Sequence, residues 1–578
     1  MRPRHTCGAV AMFGVVLLAF IPSLSAQVQT AAGHVGFPQD WSQHQVVFSR
    51  DGLAQHPEAM KREARVRQQM MQRVHSQDAD IFQSLGPEAL QRIINPYIES
   101  LVDPRIDRNI DPLTISTKRP GPHRDWNVSF VAARLGPHVF PAKYSFDPSA
   151  PPDCVNDFVV YGLSIPGVTG GQANLVGFNN LYVNPGGTGS CPGTAPNVMF
   201  AYNISGLPTT GKIVTSPILS EDGTKIGFVE SGTGANPFSI FHTVTWASGL
   251  GQGTITDSVV PSAMTSLTLT TAANCTTSAP WIDFDADVVY LGDDTGNLYK
   301  IDGAFKGTPT VEAGWPITVS ATKHLSPPVL DSTRGLLMVG SQNGDLYQID
   351  TALGAVVETL IVGSGGTTSG IVAPPVVDIT NGTTFVVSAN DGTSAVLVEA
   401  ETATLSLMSK GQIGQGSVHG TALRLYEPAF DNAYYNDPST GVIRLCGTGT
   451  GDQSPWQYAF GFSGITMNTV STSSSQLITS VNARCTGWTE FFNPNVGLPL
   501  GTDYFFFGLS QDCTGTGVAF GCLAEITDTN TTPLFVTLSG GPSGIVADNY
   551  SLAAEASSIY MAAEGANVAY KFTQNGLH

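Results

Sequence analysis

The chain has 578 residues and a formal net charge of −19 at pH 7, with 13% charged residues and 63 glycines. This length exceeds one ordinary hydrophobic core, so it indicates several domains or one large closed repeat. The negative charge is concentrated in residues 146–578, which hold 11 Lys and Arg against 34 Asp and Glu. A body of that sign repels phosphate backbones, so nucleic acid is excluded as an expected partner.

The first 26 residues have the pattern of a secretory signal peptide. Arg2 and Arg4 precede an apolar stretch from Ala9 to Ile21, and small residues follow up to Ala26. The apolar stretch is too short to span a bilayer, and no later stretch has the roughly 18 continuous apolar residues of a membrane helix. The sequence therefore predicts a secreted or periplasmic protein whose mature chain has no transmembrane segment.

Residues 27–124 form an amino-terminal segment whose composition differs from that of the rest of the chain. Abundant helix formers and scarce glycine predict two helices over residues 57–101, separated at Gly86-Pro87. The prolines that follow residue 102 are typical of an extended linker, and one short strand is predicted within residues 40–48. We therefore expect a short helical segment ahead of the main domain.

The rest of the chain is rich in predicted strands and contains an internal repeat. Val288–Asp302 (VVYLGDDTGNLYKID) returns 48 residues later as Leu336–Asp350 (LLMVGSQNGDLYQID), and each copy has the pattern of a β-hairpin. The turn glycines Gly296, Gly344 and Gly392 keep the 48-residue spacing. A period of about 40–50 residues is typical of a propeller, whose blades bury their faces against one another.

A proline begins each clear repeat. Pro280, Pro327 and Pro374 are 47 residues apart and stand where a strand starts, a position at which proline loses no ladder hydrogen bond. Counting these units predicts a single all-β propeller over residues 125–578 with about seven four-stranded blades, and eight also fits the count. Residues 125–147 are predicted to open this domain as a strand pair, and a strand from residues 125–160 is expected to complete the last blade.

Seven cysteines follow the predicted signal peptide, and export favours disulfides. Two pairs are expected first, because one brackets a short Gly/Thr turn and the other brackets one candidate blade, and a third pair follows them. In order of preference, the expected pairs are Cys154–Cys191 together with Cys513–Cys522, and then Cys446–Cys485. The odd count leaves one thiol unpaired, which is predicted to be Cys275.

The repeated hairpin, with its Gly…Gly-x-Leu-Tyr-x-Ile-Asp core, resembles the quinoprotein-type propeller repeat, whose enzymes use pyrroloquinoline quinone. Asp40–Phe48 and Phe140–Asp147 also resemble segments of uncharacterised bacterial exported proteins. The first resemblance covers about residues 150–573 and implies a propeller with a quinone or Ca²⁺ at its axis. The Trp that follows the repeat in quinone enzymes is absent after Asp350–Gly354, as is their adjacent-cysteine disulfide. We therefore expect the fold without the cofactor.

Few side chains of the repeat are candidates for catalysis or for metal binding. Asp293 and Asp294 are weak candidates for Ca²⁺ ligands, but a tight turn uses such carboxylates for its own backbone hydrogen bonds, which is the favoured interpretation. His242, His324 and His419 have no local partner motif and are interpreted as loop or core residues. The sequence predicts no catalytic residue and assigns no cofactor-binding residue.

The leading hypothesis is a secreted, non-enzymatic propeller that binds or scaffolds a protein or glycan partner. One alternative is an exported oxidoreductase that holds a quinone and Ca²⁺ at the axis. Another is a cell-surface adhesion protein whose acidic face binds cations or glycans. Function is expected where the repeat breaks down, in the loops of residues 154–205, 400–460 and 484–525.

Overall fold

The structure is a computed structural model that describes residues 38–39, 46–48 and 121–574, the last range with gaps. The gaps are residues 137, 146–151, 184–188, 205–210, 233–237, 247–251, 271–274, 322, 364–369, 419–422, 494–500, 514–519, 549–554 and 565. The predicted signal peptide and the predicted helices of residues 57–101 lie outside the described residues. Within the described ranges, no helix has the length and apolar composition needed to cross a membrane.

The described residues form eight sheets, which are the blades of a β-propeller. Three strands come before the blades in sequence: β1 (Pro38–Gln39), β2 (Val46–Phe48) and β3 (His123–Ser129). Blade 1 contains β4 (Ala142–Ser145), β5 (Phe158–Gly162), β6 (Leu175–Asn179) and β7 (Asn197–Tyr202). Blade 2 contains β8 (Lys212–Ile213), β9 (Ile218–Leu219), β10 (Lys225–Gly232), β11 (Phe238–Thr245) and β12 (Ala263–Thr270).

The next three blades include the two clearest copies of the repeat. Blade 3 contains β13 (Trp281–Asp283), β14 (Val288–Gly292), β15 (Asn297–Asp302), β16 (Thr310–Val311) and β17 (Ile317–Thr318). Blade 4 contains β18 (Val329–Asp331), β19 (Leu336–Gly340), β20 (Asp345–Asp350) and β21 (Ala355–Ile361). Blade 5 contains β22 (Val376–Asp378), β23 (Thr383–Ser388), β24 (Val396–Glu401) and β25 (Leu407–Gln412).

The last three blades are less regular. Blade 6 contains β26 (Ala429–Phe430), helix α1 (Asn432–Asn436), a 3₁₀ turn (Pro438–Thr440), β27 (Val442–Thr448), β28 (Pro455–Ser463), β29 (Thr466–Met467) and β30 (Ser473–Gln476). Blade 7 contains β31 (Thr489–Asn493), β32 (Thr502–Leu509), β33 (Cys522–Thr527) and β34 (Leu534–Thr537). Blade 8 contains β35 (Val546–Asp548), β36 (Ser558–Ala563) and β37 (Val568–Thr573), together with β3.

The repeated turns have the geometry that the sequence predicts. Gly296, Gly344 and Gly392 all adopt positive φ angles, of 89°, 95° and 101°, a region that favours glycine. At the preceding turn, the carboxylates of Asp331 and Asp378 each accept two backbone N–H groups, from residues two and three positions ahead. The 48-residue period of the sequence is therefore the spacing between equivalent turns of successive blades. The prediction of an all-β propeller is confirmed, and the propeller has eight blades.

Apolar side chains fill the space between successive blades. Phe385 of blade 5 contacts Phe430 of blade 6 with ring centroids 5.1 Å apart, and Phe462 packs on Phe430 at 6.0 Å. All three rings are almost completely buried. This packing explains why the strands carry apolar residues on both faces: each blade buries one face against the blade before it and the other against the blade after it.

The ring closes through a strand from the amino-terminal side. β3 pairs antiparallel with β37, from His123 opposite Thr573 to Ser129 opposite Val568. The last blade is thus completed by the predicted region of the chain. The predicted pairing within residues 125–147 is wrong, however, because β3 belongs to blade 8 whereas β4 belongs to blade 1, where it pairs with β5.

The axis of the ring is occupied by the chain itself. The first strands of neighbouring blades, such as β13 and β18 or β31 and β35, contact one another and form the inner ring. β1 extends blade 5 inward by pairing with β22, and β2 extends blade 1 inward by parallel pairing with β4. Val46 and Val47 of β2 are buried. Strands from the amino-terminal segment therefore lie at the centre of the propeller.

The structure contains three disulfides, and they are the three pairs favoured by the sequence. They are Cys154–Cys191, Cys446–Cys485 and Cys513–Cys522. Cys275 forms no disulfide, and its thiol donates to the backbone carbonyl of Gly232 at 2.6 Å. Burial is the main cause that raises the pKa of Cys275 above its ordinary value, which favours the protonated thiol.

We predict that replacing Gly344 by alanine destabilises the propeller. The residue has a φ of 95°, and an added Cβ would lie 2.2 Å from the backbone of Gly363. The positive φ alone costs about 1–3 kcal/mol, and the clash adds to it. Gly314 is a matched control, because its φ is 91° and its added Cβ would meet no atom within 4 Å. Urea unfolding should show a larger loss of stability for G344A than for G314A; equal losses would contradict the proposed close packing.

Candidate functional site

A depression with a partly polar lining lies near the starts of several inner strands. Segments from blades 1 to 6 meet there around the axis, and we call this surface the axial mouth. Its defining residues are His138, Phe140, Thr215, Ser216, Thr277, His324, Ser326, Gln342, Ile371, Arg424 and Tyr426. Because these segments come from six blades, the side chains of the axial mouth are positioned by the ring rather than by one local motif.

The axial mouth is small. The space within it that can hold the centre of a water molecule is about 60 Å³, enough for a few water molecules or one side-chain group. Phe140, Leu325 and Ile371, which line the mouth, belong to the same apolar cluster as Val46 of β2. The mouth therefore combines a polar rim with an apolar lining that is continuous with the filled axis.

His138 is the residue held most firmly at the rim. Its Nε2 lies 2.9 Å from Oε2 of Glu427, and its ring stacks on Tyr426 with centroids 3.8 Å apart. Its backbone N–H donates to Oε1 of Glu564 at 2.7 Å, and the edge of its ring faces Phe140. These partners come from blades 1, 6 and 8, so His138 is positioned by contacts across the ring.

Two atoms of this arrangement are left without hydrogen-bond partners. Nδ1 of His138 and Oε1 of Glu427 are buried and have no partner among the described residues. His138 also has a φ of 57°, which is uncommon for a residue other than glycine. A strained backbone and unsatisfied polar atoms are typical of functional sites, where a ligand completes the hydrogen bonds.

The charges of the rim are closely balanced. Arg424 is exposed and lies close to Tyr426. The carboxylate of Glu564 is attracted electrostatically by Arg424 and Arg484. Burial raises the pKa of Glu564 and that of Tyr426 above their ordinary values. The rim therefore offers both donors and acceptors without a strong net charge, a property that suits a neutral or singly charged polar group.

The opposite side of the rim carries His324. Its Nδ1 lies 3.0 Å from Oδ1 of Asp294, and this hydrogen bond raises the pKa of His324 above its ordinary value of 6.5. Asp293 instead serves its own turn, because its carboxylate accepts from the backbone N–H groups of Thr295 and Asn297 at 2.8 and 2.9 Å. The two weak metal candidates are thus used by an ion pair and by a turn.

The other candidates from the sequence lie elsewhere. His242 is completely buried, 2.9 Å from both Glu230 and Ser266, as expected of a satisfied core residue. His419 lies outside the described residues. Among the described residues of the loops expected to carry function, those of 400–460 reach the axial mouth, through Arg424 and Tyr426.

Sequence reasoning missed His138, Glu427 and Gln342 as parts of one site. They are distant in the chain, and each is unremarkable in its local pattern. One signal was present, because Pro327 and Pro374, the repeat prolines, line the axial mouth themselves. The residues that come just before the repeat prolines therefore lie at the rim of the axial mouth. His324, three residues before Pro327, could have been identified from this position in the repeat.

The axial mouth does not fit a quinone cofactor. A ligand of several fused rings needs a pocket of about 300 Å³ or more, well above the space available here. Among the described residues, the group of His, Asp and Glu side chains whose ligand atoms converge closely enough for a metal lies at another place, on β3 and next to β36. We therefore assign no redox step to the axial mouth.

Comparison with known proteins supports no family assignment. No family model matches the sequence, and no curated protein matches it. Among solved structures, BamB from Moraxella catarrhalis is similar with 12% identity and a TM-score of 0.44, over 78% of this chain and 98% of that chain. The WD40 domain of Toxoplasma gondii coronin is similar with 13% identity and a TM-score of 0.37, over 72% and 90% of the two chains. By its own sheets, this chain is an eight-bladed β-propeller.

The His324–Asp294 pair predicts a specific pH dependence. Because the pKa of His324 is raised in the folded state, the pair stabilises the fold fully below the ordinary pKa of about 6.5 and loses this contribution as the pH rises through the folded pKa. NMR titration should give His324 a pKa above 6.5, and Asp294→Asn should move it back towards that value. An unchanged pKa in the variant would show that the ion pair does not form in solution.

Proposed function

We propose that this protein is a secreted, non-enzymatic propeller that binds a protein partner at the axial mouth. The observation that carries the proposal is the rim around His138, which is fixed from three blades yet leaves Nδ1 without a partner among the described residues. A buried polar atom without a hydrogen bond costs roughly 1–3 kcal/mol. A partner group that completes this hydrogen bond would therefore gain affinity.

The size of the mouth favours a protein partner over an enclosed small molecule. The space of about 60 Å³ within the mouth admits one polar side chain of a partner. The surrounding rim offers a wider surface that the remainder of a partner protein can contact. Among the described residues of the mouth, one face of Tyr426 is covered by His138 and is not open to a sugar ring. Binding of an acidic or neutral glycan is the competing outcome.

The proposal of secretion rests on two observations. The first 26 residues have the composition of a signal peptide, and three disulfides cross-link the described residues of the propeller. Disulfides persist in oxidising compartments such as the periplasm or the cell exterior. The likeness to quinoprotein repeats is proposed to concern the blade framework alone, since the repeated Gly, Leu, Tyr and Asp residues serve turns and packing.

Panning a displayed peptide library and a glycan array against the full chain tests the proposed function. We expect peptide binders whose affinity falls about tenfold or more in Arg424→Ala and in His138→Ala, because each variant removes a polar contact at the rim. Lys410→Ala is the matched control, since Lys410 lies half-exposed on β25, an outer strand.

The outcomes separate the hypotheses. Peptide binding that is lost in both rim variants and kept in K410A supports a protein-binding mouth. Glycan binding with the same pattern would assign the mouth to carbohydrate and favour the adhesion hypothesis. Binders that are insensitive to both rim variants would overturn the assignment of the axial mouth as the binding surface. Circular dichroism of each variant verifies that the ring remains folded.

A further inference from the structure

A second cluster of polar side chains lies at the outer strand that closes the ring. His123 and Asp125 belong to β3, and Glu555 comes three residues before β36. The pairing of β3 with β37 shifts register between Arg124 and Trp126, so Asp125 is the bulged residue. A bulge redirects a side chain, and here it brings both Asp125 and Trp126 to the buried side.

Three potential ligand atoms converge at this place. Nε2 of His123 lies 3.0 Å from Oδ1 of Asp125 and 3.2 Å from Oε2 of Glu555. The ligand atoms all lie within 4.8 Å of one another. Donor atoms bound to one metal ion at about 2.0–2.2 Å are separated by roughly 3.0–3.5 Å, and the two distances from Nε2 of His123 match this spacing.

The carboxylate of Asp125 provides an independent observation. Its Oδ2 is held by the ammonium group of Lys571 and by the hydroxyl of Thr573, which donates at 2.6 Å. Its Oδ1 is buried and lies 3.0 Å from Nε2 of His123. The two oxygens of Asp125 therefore have different neighbours, and Oδ1 is the one that belongs to the cluster.

We propose that His123, Asp125 and Glu555 form a binding site for a divalent metal ion of the zinc class. One imidazole and two carboxylates are ligands that Zn²⁺ accepts, whereas Ca²⁺ and Mg²⁺ favour sites made of oxygen alone. The side chain of His123 is 39% exposed, so water reaches the remaining coordination position. Lys571 donates to Oδ2 of Asp125 and so holds this carboxylate in place.

The bound ion would link the two parts of the chain that close the ring. Two of its ligands are on β3, from the amino-terminal side of the chain, and the third is close to β36, from the carboxyl-terminal side. A ligand that binds the closed ring and not the unfolded chain stabilises the closed ring by mass action. The metal site is separate from the axial mouth and does not depend on the proposed binding function.

Metal binding by the full chain, stripped with EDTA, tests this site. Titration calorimetry with Zn²⁺ and the absorption spectrum of bound Co²⁺ should show one ion per chain, and Zn²⁺ should raise the unfolding temperature. His123→Ala and Glu555→Gln should each weaken binding at least tenfold and abolish the thermal shift. His324→Ala and Cys275→Ser are controls that remove another histidine and the free thiol, and both should bind as the unaltered chain does.

Each other outcome overturns the proposal. Absence of stoichiometric binding by the unaltered chain contradicts the site outright. Binding that survives in E555Q, which keeps the size of the side chain, shows that the ion is held elsewhere even if H123A fails to fold. Preference for Ca²⁺ over Zn²⁺ contradicts the assigned class of metal.

Discussion

The structure depends on the closure of a ring by two ends of the chain that are more than 400 residues apart. β3 supplies the outer strand of the blade whose other strands are β35, β36 and β37. Completely buried lysines reinforce this closure: Lys143 of blade 1 pairs with Asp548 of blade 8 at 2.5 Å, and Lys571 pairs with Asp125. Because a buried charge without its partner is destabilising by about 3–5 kcal/mol, these pairs make an open ring unfavourable.

Closure of the ring also creates the axial mouth. His138 lies between β3 and β4, and its partners Glu427 and Glu564 come from blades 6 and 8. None of these contacts is local, so they exist only when all blades are in place. β1 and β2 have a complementary effect, since they pair with the first strands of blades 5 and 1 on the side of the axis.

The sequence predicted those parts of the structure that depend on local chemistry. The turn glycines and the first-strand prolines repeat because each blade needs the same backbone geometry, and they sufficed for the fold class. The three disulfides are the pairs that the sequence favoured, and only Cys513–Cys522 has a short separation, of 9 residues. The eighth blade was harder to count, because blades 6 to 8 have irregular connections and blade 8 is assembled from two parts of the chain.

The candidate sites lay beyond such reasoning for a physical reason. His138, His324 and Arg424 are brought together by a ring of blades, and the 48-residue period says nothing about which residue each blade presents at the axis. Asp125 reaches His123 and Glu555 through a bulge, and a bulge shifts the alternation from which inward-facing residues are inferred.

Formation of a disulfide between β3 and β37 tests the closed ring most directly. Ser129 and Val568 are paired across these strands, so the double variant Ser129→Cys/Val568→Cys should oxidise to a cross-link in nearly all molecules without loss of stability. Mass spectrometry of peptides should find the two cysteines joined, whereas Ser129→Cys/Ser473→Cys, whose second position is on β30 of blade 6, should stay reduced. If both thiols of the first pair remain free to alkylation, the ring is not closed by β3, and the axial mouth and the metal site proposed here lose their structural basis.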